Sequence, residues 1–308
     1  MILASHSHLA IPPETWYMLR LLEKFDPKQP LSPDDIRAAA KIMTGHYRWP
    51  DMNIDAKEFT REALELKNPS LSDVVEIVYR KHLDRENKPR WGDKTPGYIQ
   101  IVPELITMFP DAKFIHFYRD GRDVARSFQA QGWYGRWLHD NAREWNEALD
   151  YNKRWRSSPL AHRILQVRYE DLVLDTEKTL RDICHFLDEK YEPQMQSWQG
   201  HIEQLVPARE AHIHVKLNHT PNPEDVYRWK REMTTREIFV AEAFMGRHLE
   251  EMGYERRFRG GMWPIALGMT RWYCRTVLPV ISLPVRAVRW LRDRLLGRAA
   301  FRPRARRS

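Results

Sequence analysis

The sequence predicts an α/β fold with a parallel sheet, and three observations carry that expectation. An apolar, strand-like run at 113–118 leads into a helical pattern from about Arg122 to Gln131. A second run at 163–168 leads, after a turn at Glu170–Asp171, into a helix from Asp175 to about Leu187. Strand, helix, strand, helix in this order is the pattern of parallel strands covered by helices. The third observation is bulk: 308 residues, 42% of them hydrophobic, suffice for a sizeable core.

Residues 1–10 read as the end of a helix, which the prolines of "IPPE" at 11–14 break. An amphipathic helix is expected over 15–25. "SPDD" at 32–35 offers an N-cap and an acidic first turn for a helix through about Thr44. Two more helices are expected at 55–66 and 70–87, joined by "NPSLSD". A helix from about Tyr98 to Phe109 precedes the first strand, and another at 134–153 follows its helix. Residues 193–225 lack a regular pattern, as functional loops often do. One long helix is expected over 223–252. Only two strong strands appear, fewer than such a sheet usually needs.

Charge is unevenly distributed. The net charge is +8, yet residues 256–308 hold fourteen arginines against one acid, Asp293, so the preceding chain is mildly acidic. The body does not read as a specific nucleic-acid binder. The basic segment suits an acidic membrane surface or nucleic acid. No stretch of 18 uncharged apolar residues is present, which disfavours a spanning helix. Arginines beside Trp, Leu and Val suit an interfacial helix, and a helix packed on the body is the alternative. The N-terminus has no signal-peptide pattern. Two distant cysteines, Cys184 and Cys274, form no disulfide framework, in keeping with a reducing, cytoplasmic setting. His6, His8, His212, His214 and His219 show no third ligand at zinc spacing, so no metal is expected.

Five short stretches carry chemistry. In "FIHFYRDGRDVARSF", 114–128, Arg119 leaves the strand and Arg122 opens the helix, with Ser127 further along. Helix N-termini at the carboxyl ends of parallel strands favour anions, and guanidinium forks suit phosphate. The competing reading is a salt-bridged turn, Arg119 paired to Asp120 or Asp123. In "WGDKTP", 91–96, Lys94 is placed to stabilise charge on a transferred group, or is a solvated turn lysine, with Thr95 or Asp93 capping the next helix. In "IPPETW", Glu14 is a general-base candidate or a helix N-terminal acid. In "VRYEDL", 167–172, Arg168 and Tyr169 leave the second strand, and Glu170 or Asp171 is a helix-cap candidate. In "VYRWK", 226–230, Arg228 and Lys230 bracket Trp229 as a basic lid or as a surface turn.

In this order the stretches resemble the sulfotransferase family that uses 3′-phosphoadenosine-5′-phosphosulfate (PAPS), in its prokaryotic and Golgi-type branch, over roughly residues 1–258. The resemblance implies a P-loop-like, three-layer α/β fold at 1–258, incomplete at its N-terminus; residues 259–308 lie beyond it and read as a basic amphipathic helical extension. It implies that Arg119 and Ser127 hold the 3′-phosphate and that Arg228 and Lys230 close over the nucleotide; Arg122 is expected as supporting structure or a secondary contact, and Tyr169 as a further nucleotide contact from the second strand. Lys94 inherits a place beside the sulfuryl group, and Glu14 the role of catalytic base. PAPS is then the co-substrate, without a metal, and a hydroxyl or amine the acceptor. The family opens with a strand and a "PRSGTT"-like phosphosulfate loop that this sequence does not contain. An internal methionine taken as the start, a degenerate remnant, or a substitute segment or partner would each account for that. An inactive nucleotide-binding or scaffold protein is accordingly the alternative function. The acceptor and the oligomeric state are not legible.

Overall fold

Three helices start with the same local device, a hydroxyl side chain at the N-cap and an acid three residues on. The computed structural model describes residues 2–132, 137–197, 222–259 and 263–281, with the side chains of 264–265 and 278–281 excepted. Within it Ser32 and Asp35 open α2 (Pro33–Thr44), and Ser70 and Asp73 open α4 (Leu71–Glu86). In each box the side chains bond reciprocally to backbone N–H groups that the first turn leaves unpaired. Asp55 caps α3 (Ala56–Glu65) by accepting from Lys57 and Glu58 N–H. α1 spans Tyr17–Lys24 and α5 spans Val102–Met108, which a 3₁₀ turn over Pro96–Ile101 precedes. These helices fall close to their expected positions.

The chain divides into two compact units. The first comprises 1–116, 159–167 and 174–221. Its core gathers Tyr17, Met18, Leu21, Met43, Phe59, Leu71 and Ile77, all buried. Here the N-terminus departs from expectation. Residues 2–5 form a 3₁₀ turn, and Leu9–Ala10 is not helix but a strand, β1. It pairs in parallel with β2 (Arg90–Trp91), Leu9 opposite Arg90 and Ala10 opposite Trp91. Arg90 N–H bonds His8 carbonyl and Gly92 N–H bonds Ala10 carbonyl, each at 3.0 Å. Two-residue strands leave too little alternation to read. Their consequence is local: "IPPETW" is laid beside "WGDKTP".

β3 (Phe114–Tyr118) and β4 (Ile164–Arg168) are neighbours in a second sheet, at the expected positions. The residues after β4 form not a plain turn but a short helix, α8 (Tyr169–Leu174). Asp175, rather than Glu170 or Asp171, then caps α9 (Thr176–Leu187).

The second unit comprises 117–158, 168–173 and 222–308. α6 (Gly121–Gln131) and α7 (Leu138–Arg156) form its first hairpin. The single helix expected at 223–252 is instead three pieces. Pro223–Asp225 is a 3₁₀ turn, α10 is Trp229–Glu232, and α11 is Thr235–Glu251. Tyr227 adopts a positive φ of 53°, which interrupts any helix, and a Thr234–Glu237 capping box starts a new one. α12 (Trp263–Ile281) follows, and its Leu267 and Cys274 join the same core as Ala125, Trp145, Phe244 and Leu249. Among the described residues no helix is long and apolar enough to cross a membrane.

Gly121, the first residue of α6, has no room for a side chain. A Cβ built there would lie 2.6 Å from the Trp145 ring. Gly121→Ala is expected to destabilise the fold by about 1–3 kcal/mol, the usual range for overpacking, as measured by urea unfolding.

Candidate active site

In the first unit, "IPPETW" is clamped to "WGDKTP" by a buried polar cluster. Thr15 N–H donates to Thr95 Oγ1 at 3.1 Å. Thr15 hydroxyl donates to Asp93 Oδ2 at 2.7 Å. Tyr79 hydroxyl donates to the same oxygen at 2.8 Å. Since the Thr15 proton is committed to Asp93, the Tyr98 hydroxyl, 2.5 Å away, donates to Thr15 Oγ1. Burial raises the Asp93 pKa, against the lowering effect of the bonds from Thr15, Thr95 and Tyr79. Asp93 is thus no helix cap, and Thr95 makes no side-chain cap bond. Together they fix the register between the two loops.

That register brings Glu14 and Lys94 together. Lys94 Nζ donates to Glu14 Oε1. Glu14 Oε2 accepts from Trp16 Nε1 at 2.7 Å and lies 3.4 Å from Arg48 Nη2. Trp16 reaches back because its backbone is left-handed, with φ 58° and ψ −22°. A tryptophan in that region carries strain of order 1–3 kcal/mol, which the surroundings must hold. Burial pushes the Glu14 pKa up. The Lys94 charge and bond, then Trp16 and Arg48, pull it down, and the net shift is below the ordinary glutamate value. Glu14 is mostly buried whereas Lys94 is 64% exposed, so the lysine is the partner free to move. Glu14 lies before α1 as a caged carboxylate, not in its first turn. Arg48 and Trp16 were missed in the sequence: Trp16 lies within "IPPETW" but reaches Glu14 only through its left-handed backbone, and only folding brings "HYRWP" to Glu14.

In the second unit, Arg119 follows β3 and stacks on the Tyr169 ring, 4.4 Å from its centroid. Its Nη2 donates to Asp123 Oδ2 at 2.8 Å and to Asp225 carbonyl at 2.5 Å. The salt-bridged turn therefore exists, with Asp123 as the partner. Burial raises the Asp123 pKa, and Arg119 with the Trp229 N–H partly offsets it. Arg119 Nε is buried with no hydrogen-bond partner. Arg119 thus keeps a spare donor of the kind an anion would use. Arg228 pairs with Glu232 through Nε and Nη2, at 2.8 and 3.0 Å, and Lys230 Nζ lies over the Tyr227 and Trp229 rings. Ser127 is exposed on α6.

Arg122 is 1% exposed and takes the supporting position, one of its two expected roles. Nε and Nη2 bond the two oxygens of Asp120 at 3.0 and 2.8 Å, and Nη1 bonds Glu242 at 2.7 Å. The guanidinium lies 3.6 Å from the centroid of the Trp229 ring, whose Nε1 donates to Asp120 at 3.0 Å. Glu170 is also structural: it accepts from Asp120 N–H and from Tyr254 hydroxyl, each at 3.0 Å. Glu242 was not legible, and Glu170 only as a helix-cap candidate, because each lies in a helix where an acid ordinarily faces water.

His6 and His8 do find a third residue, Glu189, with ligand atoms within 4.8 Å of one another. His6 Nε2 must donate to Lys190 carbonyl, 2.8 Å away, which leaves Nδ1 to accept from His8 N–H at 3.0 Å. Glu189 is held by Arg90 at 3.0 Å. The trio is satisfied by protein groups. His212, His214 and His219 lie outside the described residues.

Residues 1–193 match the family model described as "Sulfotransferase family". The Protein-tyrosine sulfotransferase of Drosophila melanogaster is 29% identical over 129 residues, covering 40% of this chain and 26% of that protein. Protein-tyrosine sulfotransferase A of Caenorhabditis elegans is 29% identical over 180 residues, 56% of this chain and 46% of that protein. Protein-tyrosine sulfotransferase 1 of Danio rerio is 32% identical over 165 residues, 50% and 45% respectively. The chain thus spans less than half the length of each of these curated relatives. Among solved structures, the sulfotransferase domain from the curacin biosynthetic pathway aligns with a TM-score of 0.56 at 22% identity, over 83% of this chain and 92% of that one. The sulfotransferase domain from the Synechococcus PCC 7002 olefin synthase aligns at 0.52 and 23%, over 79% and 87%. These likenesses establish the α/β fold.

Arg122→Ala would leave Asp120 and Glu242 as uncompensated buried charges. A loss of about 3–5 kcal/mol is expected in urea unfolding, large enough to threaten folding altogether.

Proposed function

Because the chain belongs to the sulfotransferase family, we propose that it transfers a sulfuryl group from PAPS to a hydroxyl or amine. The protein-tyrosine sulfotransferases among its relatives favour a hydroxyl. The observation that carries the reading is the caged pair of Glu14 and Lys94 within the segment matching the family.

Glu14 takes the proton of the acceptor hydroxyl as its oxygen attacks sulfur. The bond from sulfur to the 5′-phosphate oxygen breaks, and the electron pair leaves with the nucleotide product, 3′-phosphoadenosine-5′-phosphate (PAP). Lys94 leaves Glu14 to stabilise the transferring group or that departing oxygen, which its exposure permits. In exchanging partners it removes the main charge that depresses the Glu14 pKa, so the carboxylate becomes a stronger base when the donor is present. Trp16 and Arg48 hold the carboxylate oriented meanwhile. Arg119, with its spare buried Nε donor, binds the 3′-phosphate, and Tyr169 keeps the guanidinium plane in place. Ser127, Arg228 and Lys230 are supplementary nucleotide contacts.

Glu14→Gln is expected to lower kcat by about 10²–10⁴-fold in a PAP-release assay with a phenolic acceptor, while PAP affinity stays near wild type. In the free enzyme the base has a depressed pKa, so the acid limb of kcat/KM lies below the ordinary glutamate range. Lys94→Met removes the lowering charge and moves that limb to higher pH. A limb that stays fixed would sink the assignment of Glu14 as the titrating base. Arg119→Ala should weaken PAP binding in calorimetry by at least about tenfold, as expected for a lost charged phosphate contact, and unchanged affinity would remove Arg119 from the nucleotide site.

A further inference from the structure

Among the described residues, α12 presents an apolar face that no other segment covers. Its Leu267 and Cys274 are buried in the core of the second unit, and Trp263 packs on Phe258 with ring centroids 5.0 Å apart. The other side is open: Met269 is 67% exposed, Trp272 63% and Tyr273 46%. At about 100° per residue these three fall within an arc of roughly 100°, turned away from Leu267 and Cys274. Arg271 and Arg275, both exposed, line the border between this arc and the buried stripe. The helix carries no acidic residue. The sequence after it, 282–308, adds nine more arginines and only Asp293.

A large solvent-facing apolar arc usually marks an interaction surface. Its charge decides which one. A second copy would bring the same arginines against themselves, in a segment of fourteen arginines and one acid. A purely polyanionic partner would leave Met269 and its apolar neighbours in water. A surface that offers negative headgroups and hydrocarbon at adjoining depths satisfies both parts. Over its described residues the helix is not long and apolar enough to cross a bilayer. It can lie in the interface, with Trp272 and Tyr273 at headgroup depth and the arginine aliphatic stems covering the border.

We propose that the exposed face of α12 docks the protein onto anionic phospholipid, independently of its catalytic activity. The test is flotation of the full-length protein with phosphatidylcholine vesicles, with and without phosphatidylserine. Binding is expected only with phosphatidylserine and should fall as salt rises. Met269→Ser/Trp272→Ser and, separately, Arg271→Glu/Arg275→Glu should each weaken it by on the order of tenfold or more. Lys57→Glu/Arg61→Glu, on α3 of the other unit, should leave it unchanged. Circular dichroism and PAP binding serve to show that each variant is folded. Undiminished binding by the Met269→Ser/Trp272→Ser variant would overturn the proposal by assigning attachment to the arginines alone. So would equal binding to pure phosphatidylcholine, or a dimer in light scattering that the same variant disperses.

Discussion

The second unit is organised around one buried cation. Arg122 has no access to water, and a guanidinium cannot shed its charge at any ordinary pH. Every element near it must therefore bring an acceptor or a ring. Asp120 comes from the α6 N-cap, Glu242 from α11 and the Trp229 ring from α10. The acceptors are then shared outward. Glu242 takes the N–H groups of Arg257 and Phe258, and Asp123 takes that of Trp229. The segment after α11 and the start of α10 are thereby anchored to the same point. Arg119, three residues before Arg122, is left part-exposed at the edge of this frame with one donor to spare. Buried ionic triads of this kind add little net stability, but they penalise any arrangement that separates the partners.

The first unit solves a related problem without a cation. Asp93 is enclosed among hydroxyls, with bonds from Thr15, Tyr79 and Thr95. The result is a clamp between two loops that have almost no regular structure. It holds Thr15, whose neighbour Glu14 then meets Lys94. Glu14 and Lys94 thus sit on irregular backbone, next to a residue in strained conformation, while their position is set by deeply buried neighbours. Rigid support beneath exposed chemistry is the arrangement that positioning demands.

Some of this could be read from the chain alone, and the boundary is physical. Helices with a capping hydroxyl and an acid three residues on were legible, because the signal is local. So were β3 and β4, whose five residues each carry enough apolar pattern. The two-residue strands β1 and β2 were not, since their pairing joins positions some eighty residues apart. Among the candidate residues, Glu14, Lys94 and Arg119 stood out because they occupy recognisable motifs. Asp93 and Glu170 were legible only as helix-cap candidates, and Arg48 and Glu242 not at all, because their roles arise only from who surrounds them. Arg122 is the instructive case. Two arginines in "RDGRD" look alike in sequence, yet one is turned inward and the other is left at the edge.

Gly121, between those arginines, carries a last consequence. A glycine at the mouth of a strand-to-helix turn invites comparison with loops that wrap phosphate oxygens. Here its hydrogen atom faces the indole of Trp145, and Trp145 Nε1 donates to Arg119 carbonyl at 3.1 Å. The glycine is thus the complement of an aromatic ring twenty-four positions away. The two residues form a lock-and-key pair inside the protein, so in related chains a larger residue at the glycine position calls for a smaller one at the tryptophan. Coupled variation of that kind would distinguish this turn from a true anion cradle, where the glycine answers to a ligand and not to a neighbour.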